Sequence, residues 1–350
     1  MAVKKEAFGQ NSNGVPVYAY HISNNAGMEV VVLNFGCIIK NIFVPDKNGN
    51  TVDVNLGFDD MKGYEVNSCF LGATVGPTAN RIANAKYKID DREFVLPVND
   101  GPNNLHTDMA NGFHKRIWDA EEGDNCVKFT LKSEDGDLGF SGNRVFEVTF
   151  TVTEACELKL HYHATSDAKT LINMTNHAYF NLSGHNSGSV LDHKLILNST
   201  KYTPVIDSAA IPTGEIASVV GTPFDFTTEK TIGQDINADD QQLKYVGGYD
   251  HNYCIDGADG TMKVFATATS PATGISMKCS TDLPGFQLYV GNFLAAENAK
   301  GGATYKAREG FCLETQVYPN SINQAGFPDC VYGPDRDYDN TTIYQFSNKR

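Results

Sequence analysis

The sequence predicts an all-β protein built as one large antiparallel β-sandwich. Wherever a pattern is legible, apolar and polar residues alternate with a period of two, which is the spacing of a strand with one buried face. Short turns rich in glycine, asparagine and aspartate separate these runs. Only residues 227–236 and 239–246 have helical patterns, and both are too short to connect parallel strands. A two-domain β protein is the structural alternative.

The alternation is clearest at residues 146–152. Phe146, Val148, Phe150 and Val152 fall on one face, and the residues between them are glutamate and threonine. This pattern is typical of a half-buried antiparallel strand. The same alternation predicts strands at residues 127–131, 158–162 and 275–279. Further strands are expected at residues 29–34, 38–44, 52–56, 191–197, 262–268 and 288–293.

Turn chemistry accounts for most of the 32 glycines. Residues 46–49, 135–136, 141–143 and 256–260 supply residue types that tolerate positive φ. No segment has the composition of a linker, and no internal repeat is evident. We therefore expect residues 1–350 to form a single domain, although the length is near the upper limit for one hydrophobic core.

The charge balance excludes several classes of partner. The chain has 28 basic and 42 acidic side chains, a formal charge of −14, which argues against nucleic acids and anionic membranes. No stretch approaches the length of a membrane span, and residues 1–15 lack the apolar region of a signal peptide. Eight widely spaced cysteines without a CxxC motif predict free thiols in a reducing cytoplasm. A neutral or cationic small molecule is the expected partner.

Two loop segments carry polar groups suited to binding. Asn80 and Arg81 lie between small residues and an apolar run, and the planar donors of arginine fit hydroxyl or carboxylate oxygens. A surface turn with a solvated arginine is the alternative. His106 and His114 lie in a polar loop before the only tryptophan.

Two further segments carry groups suited to proton transfer. His177 lies in a half-apolar setting, where an imidazole with a reference pKa of about 6.5 can act as a general acid; a structural histidine is the alternative. Glu314 interrupts a strand-like run, with Gln316 on the same face. Because burying an unpaired carboxylate is costly, such a residue is either paired or catalytic. Asp250 and His251 repeat this pattern.

Metal and nucleotide sites lack support in the sequence. His161 and His163 share a strand face with Lys159 and have no third ligand nearby, so a solvated polar face is favoured. Residues 335–346 begin like an EF-hand loop but lack its glycine and its closing glutamate. GxSxG, P-loop and strand-linked GxGxxG motifs are absent. Acid–base chemistry on a neutral polar ligand, without metal or cofactor, is what the residues support.

Seven segments, taken together and in order, resemble the aldose 1-epimerase or galactose mutarotase family. They are NLGFDDMKGY, ANRIANAKY, NNLHTDMANGFHKRIW, TNHAYFNLSGH, YDHNYCID, LPGFQLYVGNFL and CLETQVYPNSIN. They extend from Asn55 to Asn323, and a closing strand follows at residues 341–346. The resemblance implies a β-supersandwich fold and interconversion of the α and β anomers of a free aldose such as galactose or glucose. From the sequence as a whole we expect a soluble, cytoplasmic monomer or homodimer.

The resemblance also implies roles for particular residues. Glu314 corresponds to the general base and His177 to the general acid. Six residues correspond to sugar contacts, namely Asn80, Arg81, His106, Tyr179, Asp250 and Gln287. An ionised carboxylate and an imidazolium, the latter favoured by nearby acids, match the two proton transfers of hemiacetal opening.

One segment departs from the family, and two other functions stay open. The family often has an arginine and an aromatic residue before ANRI, whereas this chain has Gly76, Pro77, Thr78 and Ala79, so we expect a different pocket rim. A non-catalytic sugar-binding protein is one alternative. A hexose-6-phosphate 1-epimerase is another, but it calls for more basic residues near the motifs than the chain has.

Overall fold

The computed structural model describes residues 2–348, in which strands are the predominant regular secondary structure. The first nine strands are β1 (Ala2–Gln10), β2 (Pro16–Ser23), β3 (Glu29–Leu33), β4 (Ile38–Pro45), β5 (Thr51–Asp53), β6 (Thr74–Val75), β7 (Arg81–Ile82), β8 (Lys86–Ile89) and β9 (Arg92–Val95). The next nine are β10 (Asn104–Leu105), β11 (Asp119–Glu122), β12 (Cys126–Ser133), β13 (Arg144–Val152), β14 (Glu157–Ser166), β15 (Thr170–Leu171), β16 (Thr175–Asn176), β17 (Lys194–Leu197) and β18 (Lys201–Thr203). The others are β19 (Ala217–Ser218), β20 (Lys230–Thr231), β21 (Asp250–Cys254), β22 (Lys263–Thr269), β23 (Ile275–Thr281), β24 (Gly285–Tyr289), β25 (Cys312–Gln316), β26 (Val331–Tyr332) and β27 (Tyr338–Asn348).

Helical structure is short wherever it occurs in residues 2–348. The α-helices are α1 (Met61–Val66) and α2 (Gln241–Val246). The 3₁₀ turns are Ala83–Ala85, Phe113–Lys115, Asp137–Gly139, Lys300–Gly302 and Ser321–Asn323. Over this range no helix has the length and apolar composition needed to cross a membrane.

Three antiparallel sheets form the body of the protein. The first five-stranded sheet is a meander of β1 to β5. The nine-stranded sheet has the order β11-β12-β13-β14-β27-β23-β22-β17-β20, so that β27 joins two groups of earlier strands. The second five-stranded sheet has the order β19-β18-β21-β24-β25. Two-stranded ladders join β6 to β16, β7 to β10, β8 to β9 and β15 to β26.

The main core lies between these sheets. The ring of Tyr20 in the first sheet meets Phe129 of the nine-stranded sheet edge to face, at 5.5 Å between centroids. Toward the other end of the nine-stranded sheet, Phe265 of β22 packs on Phe286 of β24 of the second five-stranded sheet, at 4.5 Å between ring centroids. One continuous cluster of buried apolar side chains includes all four rings. The sheets therefore pack face to face, as the predicted sandwich requires.

The predicted alternation is confirmed in β13. Phe146, Val148, Phe150 and Val152 are fully buried, while the residues between them are partly exposed. The strands predicted at residues 127–131, 158–162 and 275–279 are confirmed as parts of β12, β14 and β23. Fully buried apolar side chains on one face are the main driving force for packing this sheet.

The helix predicted at residues 227–236 is wrong, whereas that at 239–246 is confirmed in part as α2. The first segment contains β20 and turns, because Thr227 bonds back to Asp225 through both its amide and its hydroxyl, a local pairing that competes with helix formation. Helix α2 begins after Asp240, whose side chain caps two of its amides. Helix α1 was not predicted. The strand predicted at residues 288–293 overlaps only the end of β24, which ends at Tyr289.

The buried face of β13 yields a test of the packing. We expect Phe150→Ala to lower the free energy of unfolding by about 3–5 kcal/mol, because it leaves a cavity in the core. Thr149→Ala, on the opposite face of the same strand, is the matched control and is expected to change it by less than about 1 kcal/mol. Urea titration followed by circular dichroism measures both variants. Equal effects of the two substitutions would contradict the assigned faces.

Candidate active site

The second five-stranded sheet aligns three of the predicted site residues on one face. Its ladder pairs Gln287 of β24 with Asn252 of β21 and with Glu314 of β25. Two residues further along, Asp250 is paired with Tyr289. Directly paired residues point to the same face of a sheet, and the face repeats every second residue. Asp250, Gln287 and Glu314 therefore share one face, although they are far apart in sequence.

The loops before β7 and after β10 clamp Asn80 to His106. The amide of Asn80 donates to His106 Nδ1 at 3.1 Å, and the amide of His106 donates to the carbonyl of Asn80 at 3.0 Å. Both residues have positive φ, 57° and 52°, a backbone conformation rare for residues other than glycine. Because Nδ1 accepts a hydrogen bond, the ring proton of His106 lies on Nε2. His106 is thus a fixed donor into the site.

His177 follows the short strand β16 and is held on several sides. Its amide donates to the carbonyl of Ala73 at 2.8 Å. Its ring stacks between Phe70 and Tyr179, with centroid distances of 5.9 and 5.0 Å. Its Nδ1 lies 3.5 Å from Cys312 Sγ. These contacts fix the plane of the imidazole and leave Nε2 as the nitrogen that is free to transfer a proton.

The structure brings together the two residues predicted to transfer protons. His177 Nε2 lies 3.6 Å from Glu314 Oε2, and both side chains are almost fully buried. A ring nitrogen of His106 also lies near the pair, since nitrogen and oxygen atoms of the three side chains lie within 4.8 Å of one another. A donor, an acid–base nitrogen and a carboxylate thus face one small volume.

Burial shifts the pKa values of both residues of this pair toward their neutral forms. Burial raises the pKa of Glu314 well above its ordinary value, and the nearby Asp250 raises it further, against a lowering by Arg81. Burial lowers the pKa of His177 to about 4. Both shifts oppose the charged forms expected from the sequence, the carboxylate of Glu314 and the imidazolium of His177. The physical reason is that desolvation disfavours both charged forms more than the neighbouring acids favour an imidazolium.

The predicted sugar contacts Arg81, Asp250 and Gln287 lie around this pair with partners of their own. Arg81 Nε donates to Asp100 Oδ2 at 2.8 Å. Gln287 Nε2 donates to Asp250 Oδ1 at 2.7 Å, and burial raises the pKa of Asp250. Tyr179, expected to touch the sugar, is buried with its ring against His177. The eight predicted site residues are therefore close together, joined by ring contacts, hydrogen bonds, ladder pairing and the electrostatic effect of Arg81 on Glu314.

Several residues of the site were missed by sequence reasoning. Phe70 packs against the rings of His106, His114 and His177, with centroid distances of 4.8, 4.4 and 5.9 Å. Nothing in the sequence indicates this contact, because it depends on tertiary packing. Cys312, by contrast, stands two residues before the predicted base, and the period of a strand could have placed it on the same face.

The donor set of the three-residue cluster does not suit a metal ion. His106, His177 and Glu314 are the one group of three candidate ligands found within residues 2–348. A ligand histidine must offer a lone pair on a deprotonated nitrogen. His106 Nδ1 already accepts the amide of Asn80, so its Nε2 carries the proton. The other histidines weighed as ligands, His161 and His163, are partly exposed and lie within 3.4 Å of acidic side chains.

Comparison with known sequences identifies relatives over nearly the full length. Residues 18–345 match the family model described as aldose 1-epimerase. Galactose mutarotase of Bos taurus is 36% identical over 348 residues, which is 99% of each chain. Aldose 1-epimerase of Escherichia coli K12 is 37% identical over 337 residues, which is 95% of this chain and 96% of the relative.

Comparison with solved structures agrees with the sequence relatives. A galactose 1-epimerase from Lactobacillus acidophilus superimposes with a TM-score of 0.87 at 27% identity, covering 100% of both chains. An aldose epimerase homologue from C. elegans gives a TM-score of 0.84 at 31% identity, covering 94% of this chain and 98% of the homologue. The predicted β-supersandwich and the resemblance in the motifs are thereby confirmed. The chain belongs to the aldose 1-epimerase family.

Proposed function

We propose that His177 and Glu314 are the proton-transfer pair with which this protein interconverts the α and β anomers of a free hexose such as galactose or glucose. The protein is a carbohydrate isomerase, in keeping with family membership over nearly the full chain. The roles of the two residues rest on one observation, the 3.6 Å approach of His177 Nε2 to Glu314 Oε2 in a buried site.

The reaction needs two proton transfers in each direction. Ring opening moves a proton from the C1 hydroxyl to Glu314 and another from His177 to the ring oxygen, while the C1–O5 bond breaks and the C1 carbonyl forms. Rotation about the C1–C2 bond then turns the other face of the aldehyde toward O5. Ring closure returns a proton from Glu314 to the carbonyl oxygen and one from O5 to His177. Both groups end the cycle as they began it.

The neutral pair that burial favours, with one proton on Glu314, holds the right number of protons for this cycle. Moving one proton from Glu314 to His177 converts the pair into the carboxylate and imidazolium that ring opening uses. A sugar hydroxyl that donates to the carboxylate favours its charged form, because hydrogen bonds to a buried carboxylate offset its loss of hydration. We infer that sugar binding, rather than pH alone, prepares the pair.

The surrounding residues provide donors and anchors. The Nε2–H of His106 and the guanidinium of Arg81 steady the ring oxygen as its charge changes. Asp250, Gln287 and Asn80 bind the other hydroxyl groups, so that C1 rotates while the rest of the sugar is held. The site carries more acidic than basic groups, which favours a neutral sugar over a phosphorylated one.

Two properties of the whole chain complete the proposal. We infer a single domain over residues 1–350, supported by a main core that draws on all three sheets. All eight cysteines are free, which supports a reducing compartment such as the cytoplasm.

Substitution of the pair tests the proposed chemistry. Polarimetry on freshly dissolved α-galactose measures mutarotation. Glu314→Gln and His177→Asn are each expected to lower kcat by about 10²–10⁴-fold, since each removes one partner in proton transfer. The matched controls are Glu297→Gln and His161→Asn, which alter exposed side chains and are expected to keep the wild-type rate.

Two outcomes would contradict this assignment. A wild-type protein that leaves the spontaneous rate unchanged but binds galactose in calorimetry would be a non-catalytic sugar-binding protein. A Glu314→Gln variant as fast as wild type would place the base elsewhere.

The single proton shared by His177 and Glu314 predicts that kcat/KM has a bell-shaped dependence on pH. As the pH falls through about 4, His177 gains a proton while Glu314 keeps its own, so no base is left and kcat/KM falls. As the pH rises through the raised pKa of Glu314, the pair loses its shared proton and kcat/KM falls again. Rates corrected for the spontaneous reaction at each pH measure both limbs. A profile without an acid limb would refute the shared-proton model.

The acidic residues around the site predict lower activity on a phosphorylated sugar than on the free sugar. We expect kcat/KM for glucose 6-phosphate to be at least about tenfold below that for glucose, because the phosphate meets nearby carboxylates and few cations. Added salt is expected to reduce this difference in kcat/KM, because it screens the repulsion between the phosphate and the carboxylates. Equal rates on the two sugars would instead favour a hexose-6-phosphate 1-epimerase.

A further inference from the structure

A chain of buried amides runs through the wall of the site. Gln316 Nε2 donates to Gln287 Oε1 and to Asn252 Oδ1, each at 3.1 Å. Gln316 Oε1 accepts from Asn80 Nδ2 at 3.4 Å. Gln287 in turn donates to Asp250 Oδ1 at 2.7 Å. The Gln316 side chain, which is fully buried, is the branch point of this network.

The hydrogen bonds of the network determine the orientation of each amide. In its ionised form the carboxylate of Asp250 only accepts, so Gln287 must turn its NH₂ group toward it. The oxygen of Gln287 then faces Gln316, which must present its own NH₂ group. The oxygen of Gln316 is thereby left to accept from Asn80. The donor and acceptor ends of two proposed sugar contacts, Gln287 and Asn80, are therefore fixed through Gln316.

The sheet provides the space in which these amides meet. Gln316 is paired across the ladder with Gly285, a residue without a side chain. A Cβ at Gly285 would lie 2.9 Å from Asn252 Oδ1 and 2.8 Å from Cε1 of Tyr318, closer than side-chain atoms approach. The glycine leaves this region free for the side chains of Asn252 and Gln316.

We propose that Gln316 is a positioning residue, which orients the amides of Gln287 and Asn80 and so determines how tightly the site binds its sugar. This inference rests on the proposed function of the site. Gln316 does not transfer a proton, because an amide does not ionise in the relevant range. Its loss is therefore expected to change KM much more than kcat.

Two substitutions of the same size separate orientation from simple packing. Gln316→Met removes all three hydrogen bonds, and we expect KM for galactose to rise about tenfold with kcat within about threefold of wild type. Gln316→Glu places a carboxylate against two amide oxygens when it is ionised. When protonated, it regains one donor. KM of this variant is therefore expected to rise with pH, whereas KM of Gln316→Met is not.

A double-mutant cycle tests whether Gln316 acts through Gln287. If it does, adding Gln316→Met to Gln287→Met raises KM by clearly less than the product of the two single effects. The matched control is Thr315→Val on the same strand, which breaks a buried hydroxyl contact with Thr342 of 2.6 Å on the opposite face. This control is expected to lower the melting temperature and leave KM unchanged.

The outcomes distinguish this inference from the proposed function. Unchanged KM in both Gln316 variants, or fully multiplicative effects in the cycle, would overturn the positioning role while wild-type mutarotation still stands. A wild-type protein without mutarotase activity would overturn the proposed function. The Gln316 variants would then be compared with wild type by the Kd for galactose, measured by calorimetry, instead of KM. Absence of galactose binding would overturn both.

Discussion

The register of three strands in the second five-stranded sheet is the constraint on which the site depends. Backbone hydrogen bonds pair Gln287 with Asn252 on one side and with Glu314 on the other. A shift of one residue in either ladder would turn the shifted side chains to the opposite face. The approach of His177 to Glu314, the amide network and the proposed sugar contacts therefore all depend on correct main-chain pairing.

Burial shifts the pKa values of the site residues, and it also lowers the stability of the folded protein. His177 and Glu314 are withdrawn from water, and each is more stable without charge. Polar groups held in this way are retained only where the surrounding structure is rigid. The stacked rings of Phe70 and Tyr179 supply that rigidity on either side of the imidazole. The extended apolar core between the sheets offsets the free-energy cost of burying these polar groups.

Sequence reasoning succeeded where local periodicity reflects tertiary structure. Strand β13 was predictable because its apolar residues alternate strictly. The proximity of His106, His177 and Glu314 was predictable because their motifs resemble a family whose members bring them together. The helix expected at residues 227–236 failed because hydrogen bonds near Thr227 favour turns. The lowered pKa of His177 was not predicted because it depends on burial, and the contact of Cys312 with that ring joins segments 135 residues apart. Neither burial nor such distant contacts can be derived from local patterns.

The position of β27 has a consequence for how the chain acquires its structure. This strand, the latest in the chain of those described, lies in the middle of the nine-stranded sheet, between β14 and β23. During synthesis, the strands on its two sides emerge first and present unpaired edges to each other across a gap. The sheet closes only when residues 338–348 are inserted. Completion of the largest sheet is thus a late, long-range event, and until then the nascent chain is exposed to edge-to-edge association.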